Sequence, residues 1–75
     1  DVAIHEVRVA EGSELDGCTV DVATHGDDRP VVIAVRRADG RYVANPPSGF
    51  VLSRTDVLIA LGSDKQLGSL RMAAG

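Results

Sequence analysis

Residues 31–46 read VVIAVRRADGRYVANP, in which an apolar run and a second, shorter run flank a turn signal. Both faces of the first run, 31–35, are apolar, which is typical of a central strand in a sheet that is covered on both sides. Asp39-Gly40 predicts a two-residue hairpin loop of type I′, because that turn needs a positive φ at both central residues. Residues 42–45 form the returning strand, and Pro46 ends it because proline has no N–H to donate to a ladder.

The segment before this hairpin predicts a strand and a short helix. Residues 2–9 have an apolar alternation that changes phase between Ile4 and Val7, so the strand either contains a bulge or buries different faces in its two halves. A short helix follows, with Asp16 as its N-cap and apolar residues at helical spacing up to Ala23.

The segment after the hairpin predicts the last strand and the last helix. Asp56 opens a strand over 57–61, and the sequence 62–64, Gly-Ser-Asp, ends that strand and caps a helix with an apolar stripe that includes Leu67 and Leu70. The element order is therefore β-α-β-β-β-α. This order predicts an α+β domain with a four-stranded, mostly antiparallel sheet and two helices.

The size and composition of the chain predict a homodimer. The chain has 75 residues, and Tyr42 and Phe50 are its only aromatic residues, so its core is small and aliphatic. Cys18 is the only cysteine and forms no internal disulfide, and no cluster of Cys and His has the spacing of a zinc site. A second subunit is the remaining supplement to such a core, which predicts a symmetric homodimer.

The charge pattern and the length of the apolar runs indicate which partners to expect. Acidic and basic residues are mixed and the net charge is −3, which does not suit binding to a nucleic acid polymer. The apolar runs are far below the ~20 residues that a membrane span requires, so we expect no direct membrane insertion. Residues 1–75 form one domain, and the abrupt start in strand-like sequence at Asp1 leads us to expect a piece of a longer protein.

Five loosely spaced pieces, which lie in order within three stretches and cover nearly the whole chain, resemble the C-terminal lobe of RCK domains, the TrkA-C family. Residues 7–20, VRVAEGSELDGCTV, are similar to the family's first strand, Ser-x-Leu-x-Gly turn and short helix. Residues 31–46 are similar to its central hairpin ending in Asn-Pro. Residues 51–70, VLSRTDVLIALGSDKQLGSL, are similar to its last turn, strand and helix, although Thr55 stands where the family usually has Gly.

The resemblance implies a regulatory function and no enzyme activity. Lobes of this family form two-fold dimers and regulate potassium channels, potassium-uptake systems or cation–proton antiporters, which implies a cytoplasmic domain peripheral to a membrane transporter. Several members bind cyclic di-AMP in the cleft between the two protomers, and other branches respond to metal ions or other ligands. Cyclic di-AMP is therefore the ligand that we expect here, across the two-fold axis.

The residue pattern of the cyclic di-AMP binders matches this chain only at apolar positions. That pattern is an apolar pair, Asp-x-Arg, five residues, and Asn followed by a second apolar pair. When residues 32–33 are aligned with the second pair, the Asn position is Val31, the Arg position is His25 and the Asp position is Ala23. A cation for the phosphate would then come from another residue, such as Arg29.

The expected ligand site combines an apolar wall with cations and an amide. Val32, Ile33 and Ala34 would form a flat wall for the bases. The remaining predicted site residues are Arg29, Arg36 and Arg37 as cations for the phosphates, Asn45 as an amide, and His25 in the neighbouring loop.

Other uses of these residues stay open. The outer face of 31–35 could be simple packing, and Arg36 and Arg37 could form pairs with nearby acids on a solvated edge. His25, Asp27 and Asp28 lie in one short polar loop, for which solvation is preferred over metal binding. No serine has the context of a catalytic nucleophile, and Cys18 is expected to be buried as a small hydrophobe. The alternative to ligand sensing is a structural dimerisation or docking module with no ligand.

Overall fold

The fold is a four-stranded antiparallel sheet with two helices on one face. The computed structural model describes all residues, 1–75. Its elements are β1 (Ala3–Arg8), α1 (Val20–Thr24), β2 (Val31–Arg36), β3 (Tyr42–Ala44), β4 (Val57–Gly62) and α2 (Asp64–Ala74). The strands lie in the order β1-β4-β2-β3, and every neighbouring pair is antiparallel. The predicted fold class and element order are confirmed.

One face of the sheet carries the core, because both helices pack on it. Fourteen apolar residues form a single buried cluster between this face, the helices and the loops. They are Val7, Val9, Leu15, Val20, Ala23, Val32, Val35, Leu52, Leu58, Ala60, Leu67, Leu70, Ala73 and Ala74. Outward-facing residues of the same strands alternate with these, so the opposite face of the sheet, here called the outer face, has no element of this chain above it.

The sheet contains one bulge, which lies in β2 and not in β1. Pairing of β1 with β4 is continuous from residue 3 to residue 8, so Ile4 lies on the outer face and Val7 on the helix face without any slip. Between β2 and β4 the register shifts, since Val32 pairs with Ala60 while Ala34 pairs with Ile59. Ile33 is the extra residue, and a bulge of this kind increases the local twist.

The hairpin loop is longer than the predicted two-residue turn. The Gly40 N–H donates to the carbonyl of Arg37 at 2.9 Å, and the Arg37 N–H donates to the carbonyl of Arg41 at 2.7 Å. Only Gly40 has a positive φ, +87°, whereas a type I′ turn would also need one at Asp39. The loop is therefore a type I turn followed by a left-handed glycine, and the prediction of type I′ was wrong.

The two helices differ in how well their starts were predicted. Ser63 caps α2 with a full capping box, because its hydroxyl accepts from the Gln66 N–H and the Gln66 side chain accepts from the Ser63 N–H. Helix α1 begins after Thr19, so the prediction of Asp16 as its N-cap was wrong. The carboxylate of Asp16 instead accepts from the N–H groups of Gly12 and Arg54 and so joins two loops.

A buried carboxylate connects β4 to the hairpin. The Asp56 side chain is only 2% exposed, and its Oδ2 accepts from Arg37 Nη1 at 3.0 Å and from the Ser53 N–H at 2.8 Å. Arg37 also donates to the carbonyl of Val51 and lies over the ring of Phe50 at 4.1 Å. The guanidinium thus holds together the hairpin, residues 50–53 and the start of β4.

We expect Arg37→Ala to lower the free energy of unfolding by about 3 kcal/mol, because removal of one partner leaves a buried charge uncompensated. Arg41→Ala is the matched control. Arg41 pairs with Asp39 through two exposed side chains, and a pair of that kind contributes about 0–1 kcal/mol. Urea denaturation followed by circular dichroism measures both. Equal effects of the two variants would contradict the role given to Arg37.

A second prediction concerns Thr55, which adopts φ +71° although it is β-branched. The left-handed region costs a non-glycine residue about 1–2 kcal/mol, so we expect Thr55→Gly to stabilise the fold by about 1 kcal/mol after the larger chain entropy of glycine is included. Ala38→Gly, in the hairpin turn at a negative φ, should instead be neutral or destabilising. A lower urea midpoint for Thr55→Gly would show that the site has no strain to relieve.

Candidate functional site

A cleft lies beside the start of β2, between α1 and the segment that follows β3. Its volume is about 320 Å³, and its lining is apolar with two hydroxyls and one cation. The lining residues are Val20, Thr24, Arg29, Pro30, Val31, Val32, Pro46 and Ser48. Such a combination of apolar walls and a few polar groups is typical of a small-molecule site.

Backbone hydrogen bonds hold the two walls of the cleft together. The N–H of Val20 donates to the carbonyl of Phe50 at 2.9 Å, and the N–H of Asp21 donates to the carbonyl of Ser48 at 3.1 Å. These are N–H groups of the first turn of α1, which have no partner within the helix. The segment after β3 therefore replaces a side-chain cap and fixes α1 at the cleft.

Arg29 borders the cleft, but its guanidinium is directed towards α2. Nη1 donates to the carbonyl of Ser69 at 3.3 Å, and Nη2 lies 3.7 Å from the carboxylate of Glu14. The Arg29 side chain is 21% exposed, whereas that of Glu14 is 68% exposed. The ion pair with Glu14 is therefore solvated and weak. The guanidinium lies beside the cleft, next to the middle of α2.

The outer face of the sheet is apolar and adjoins the cleft. Ile4 and Val31 are each 61% exposed, and both flank Leu61 of β4 in the ladder. Ile33 at the bulge is also exposed, and Ile59 is half-buried next to Ala34. Val31 belongs to both surfaces, because it lines the cleft and lies on the outer face.

Arg36 lies on the outer face within a polar network. Its guanidinium donates to Glu6 at 3.1 Å and to the hydroxyl of Tyr42 at 3.2 Å, and it lies 5.9 Å from the centre of the Tyr42 ring. The hydrogen bond to Glu6, followed by that to Tyr42, raises the pKa of Arg36 above its ordinary value. Arg36 is thus a fixed cation with two partners of its own.

The structure separates several residues that the sequence placed in one site. Val32 is buried on the helix face, while Ala34 lies on the outer face, so the expectation of one flat wall from 32 to 34 was wrong. Alternation along the strand separates Val32 from Ile33, and the bulge at Ile33 then turns Ala34 to the outer face as well, where regular alternation would have returned it to the helix face. Arg37 is held by Asp56 at the far end of β2 and does not line this cleft, so its contact with a ligand stays a prediction.

Two further predicted residues lie near the cleft but do not line it. His25 is exposed and follows the last residue of α1. Asn45 is exposed with φ +49°, and its N–H donates to the carbonyl of Ile33 at 2.7 Å, which places it next to Pro46 at the cleft.

Of the eight residues that line the cleft, the predicted site residues include only Arg29 and Val32. Val20 and Thr24 were treated as parts of a helix and Pro46 and Ser48 as a break after a strand. Their meeting depends on hydrogen bonds between α1 and the loop after β3, which no local pattern signals. The hydroxyl of Thr24 is oriented by the hydrogen bond that it donates to the carbonyl of Val20.

Solved structures share this architecture over almost the whole chain. The C-terminal RCK (regulator of conductance of K⁺) domain of the potassium transport protein KtrA, in complex with cyclic di-AMP, is 22% identical over 95% of this chain and 81% of that one, with a TM-score of 0.79. The RCK_C domain dimer of S. agalactiae BusR in complex with cyclic di-AMP is 19% identical over 96% and 89%, with a TM-score of 0.75. The chain has the RCK C-terminal fold.

A third neighbour with the RCK C-terminal fold is part of a larger protein. S. agalactiae BusR in complex with its busAB-promotor DNA is 20% identical over 95% of this chain, which spans 35% of the BusR chain, with a TM-score of 0.75. A scan against protein-family models finds no match, and a search of curated protein sequences finds none either.

Two further observations bear on the class of site. No three side chains of His, Cys, Asp or Glu converge where they could hold a metal ion. Neither helix has the length and apolar character needed to cross a membrane.

Proposed function

We propose that this chain is a regulatory ligand-binding domain that forms a symmetric homodimer, binds cyclic di-AMP at the dimer seam and controls a potassium channel, uptake system or cation–proton antiporter. The observation that carries the proposal is the apolar cleft at Val31, which opens onto an exposed apolar sheet face. Two neighbours of the same fold, from KtrA and BusR, are in complex with cyclic di-AMP. Such a domain would be cytoplasmic and peripheral to its transporter.

The exposed apolar surface supports the homodimer. Ile4, Val31, Ile33 and Tyr42 are exposed on or beside the outer face, and a contiguous apolar surface of this kind is typical of an association site. A second copy related by a two-fold axis covers such a surface with the same residues from both sides. The BusR neighbour of the same fold is a dimer.

The size of the cleft and the symmetry of the proposed dimer support a ligand with two equivalent halves. A volume of about 320 Å³ is near the lower end of the range for small-molecule sites, which suits one half of a ligand. Two copies of the cleft, brought together by a two-fold axis, would receive the two equivalent halves of cyclic di-AMP. Val20, Val31 and Pro46 would contact a base, and the hydroxyls of Thr24 and Ser48 could bind its polar edge.

Arg29 is the cation that best fits the phosphate. It lines the cleft, and its present partners are one carbonyl at 3.3 Å and one exposed carboxylate at 3.7 Å. A phosphate would offer a charge-assisted bidentate partner, which is stronger than a bond to a neutral carbonyl. Arg36 and Arg37 are less suited, because Glu6 and Asp56 already occupy them.

The second candidate is a dimerisation or docking module without a ligand. The observation that favours it is that Arg29 already has two partners within the chain. In addition, Ala23, His25 and Val31 occupy the positions at which the cyclic di-AMP pattern has Asp, Arg and Asn.

The ligand proposal predicts that Arg29→Ala weakens cyclic di-AMP binding by about 1.5–3 kcal/mol, the contribution of a hydrogen bond to a charged group. Calorimetric titration of the intact dimer measures this change. Arg41→Ala, which removes an exposed arginine at the far end of the sheet, should leave the affinity unchanged. No heat at high micromolar cyclic di-AMP, with the dimer confirmed, would favour the ligand-free module.

The dimer proposal predicts twice the monomer mass in sedimentation at micromolar concentration. Val31→Glu and Ile59→Glu should each give a folded monomer, since a buried unpaired carboxylate on the outer face opposes association. Met72→Glu, on α2 and 85% exposed, is the matched control and should remain a dimer. A wild-type monomer at high concentration would reject the homodimer.

We also propose that the domain itself contacts no nucleic acid polymer, in agreement with its net charge of −3. The DNA-bound BusR chain extends well beyond the part matched here. A mobility-shift assay with duplex DNA should show no complex at physiological salt, and a shift that weakens steeply with salt would overturn this statement.

A further inference from the structure

The end of the sheet opposite the cleft is rich in arginine. β1 and β2 end there, and β3 and β4 begin there. Five of the eight basic residues of the chain lie at this end, although the chain as a whole is acidic. They are Arg8, Arg36, Arg37, Arg41 and Arg54.

Two adjoining cavities form a groove among these arginines. The first has a volume of about 560 Å³ and is lined by Arg8, Val9, Ala10, Glu11, Arg54 and Thr55. The second, of about 570 Å³, is lined on its basic side by Arg37, Arg41 and Arg54. Arg54 borders both, so the two cavities are neighbours. We call the first cavity the arginine groove.

The floor of the arginine groove is rigid. The Thr55 N–H donates to the carbonyl of Val9 at 2.9 Å, and the Val9 N–H donates to the carbonyl of Asp56 at 2.8 Å. The carboxylate of Asp16 holds the N–H of Arg54 at 3.2 Å from the neighbouring loop. These contacts hold the backbone of Val9, Arg54 and Thr55 in place.

The side chain of Thr55 lines this groove from a strained backbone. A glycine adopts a φ of +71° without steric strain, whereas a β-branched residue in this region is an outlier. Strained residues of this kind are concentrated at binding sites, where the side chain has a function that glycine cannot supply. Here Thr55 lines the same cavity as Arg8 and Arg54.

The cations of the groove are available to an external anion. Arg8 takes part in no ion pair within the chain. Arg54 lies 3.0 Å from Glu11, but the two side chains are 62% and 74% exposed, and exposed pairs of this kind contribute little. Arg37, by contrast, is committed to the buried Asp56 and belongs to the framework.

We propose that the arginine groove binds the phosphate group of a small phosphorylated molecule, with Arg8 and Arg54 as its cations and the Thr55 hydroxyl as a donor. One guanidinium group can bind two oxygens of the same anion. A phosphate group has enough oxygens for the guanidinium groups of both arginines, whereas a carboxylate has only two oxygens and a halide has none. The site is separate from the cleft at Val31, and its existence does not depend on the proposed function.

The test is an NMR titration of the full chain with inorganic phosphate and with pyrophosphate, at constant ionic strength so that general screening does not change. Amide shifts should concentrate at residues 8–11 and 54–55. The double variant Arg8→Ala/Arg54→Ala should weaken binding at least tenfold, and Glu11→Gln should strengthen it about threefold because it removes a competing carboxylate. Thr55→Gly should weaken binding about threefold even though it raises the urea midpoint.

Two controls make the result decisive. Lys65→Ala and Arg71→Ala remove basic residues outside both the groove and the cleft and should leave the phosphate affinity unchanged, and melting curves establish that each variant is folded. The proposal is overturned if the double variant binds as tightly as the wild type, or if the shifts spread over Lys65 and Arg71. Wild-type affinity in Thr55→Gly would remove the hydroxyl from the site.

Discussion

A four-stranded sheet has two faces, and the helices of this chain cover only one of them. Helices of five and eleven residues fill the space over Val7, Val35 and Leu58 and leave nothing for the opposite side. The apolar residues of β4 that face outward are only half-buried as a result, and those near the start of β2 are exposed. A chain of this size has too few residues to cover that surface by itself, and the homodimer that we propose would cover it with a second copy.

The bulge in β2 determines where the uncovered face meets the cleft. Without the extra residue, the five consecutive apolar positions would alternate, three on one face and two on the other. The shift between Val32 and Ala34 lets Val32 and Val35 both enter the core while Ile33 remains outside. Val31 then lies at the corner that the outer face shares with the cleft, so a ligand in the cleft would contact the residue that a second protomer also covers.

The sequence was sufficient for features whose cause is local. The apolar run 31–35 identified the strand, and Ser63 with Gln66 three residues later is the signature of a capping box, which the structure contains. It failed where a long-range contact supplies the cause. Asp16 has the right chemistry for a helix cap, but two loops bring backbone N–H groups to its carboxylate first. The cleft was recognised only at Arg29 and Val32, since the carbonyls of Ser48 and Phe50 reach α1 from a segment that is distant in sequence.

The two proposed sites, the cleft at Val31 and the arginine groove, lie at opposite ends of the sheet. This separation determines how they could influence each other. The cleft borders Val31 at the start of β2, and the arginine-rich end begins at the other end of that six-residue strand. At about 3.3 Å per residue the distance along the strand is close to twice the Debye length of about 8 Å at physiological salt. Direct electrostatic interaction between a phosphate at one end and a ligand at the other is therefore weak. The strand between them pairs with β4 from residue 31 to residue 36 and with β3 over residues 34–36. In the proposed dimer, a ligand at either site could influence the other through the relative position of the two protomers, because a ligand shifts a conformational equilibrium only by binding one arrangement better than another.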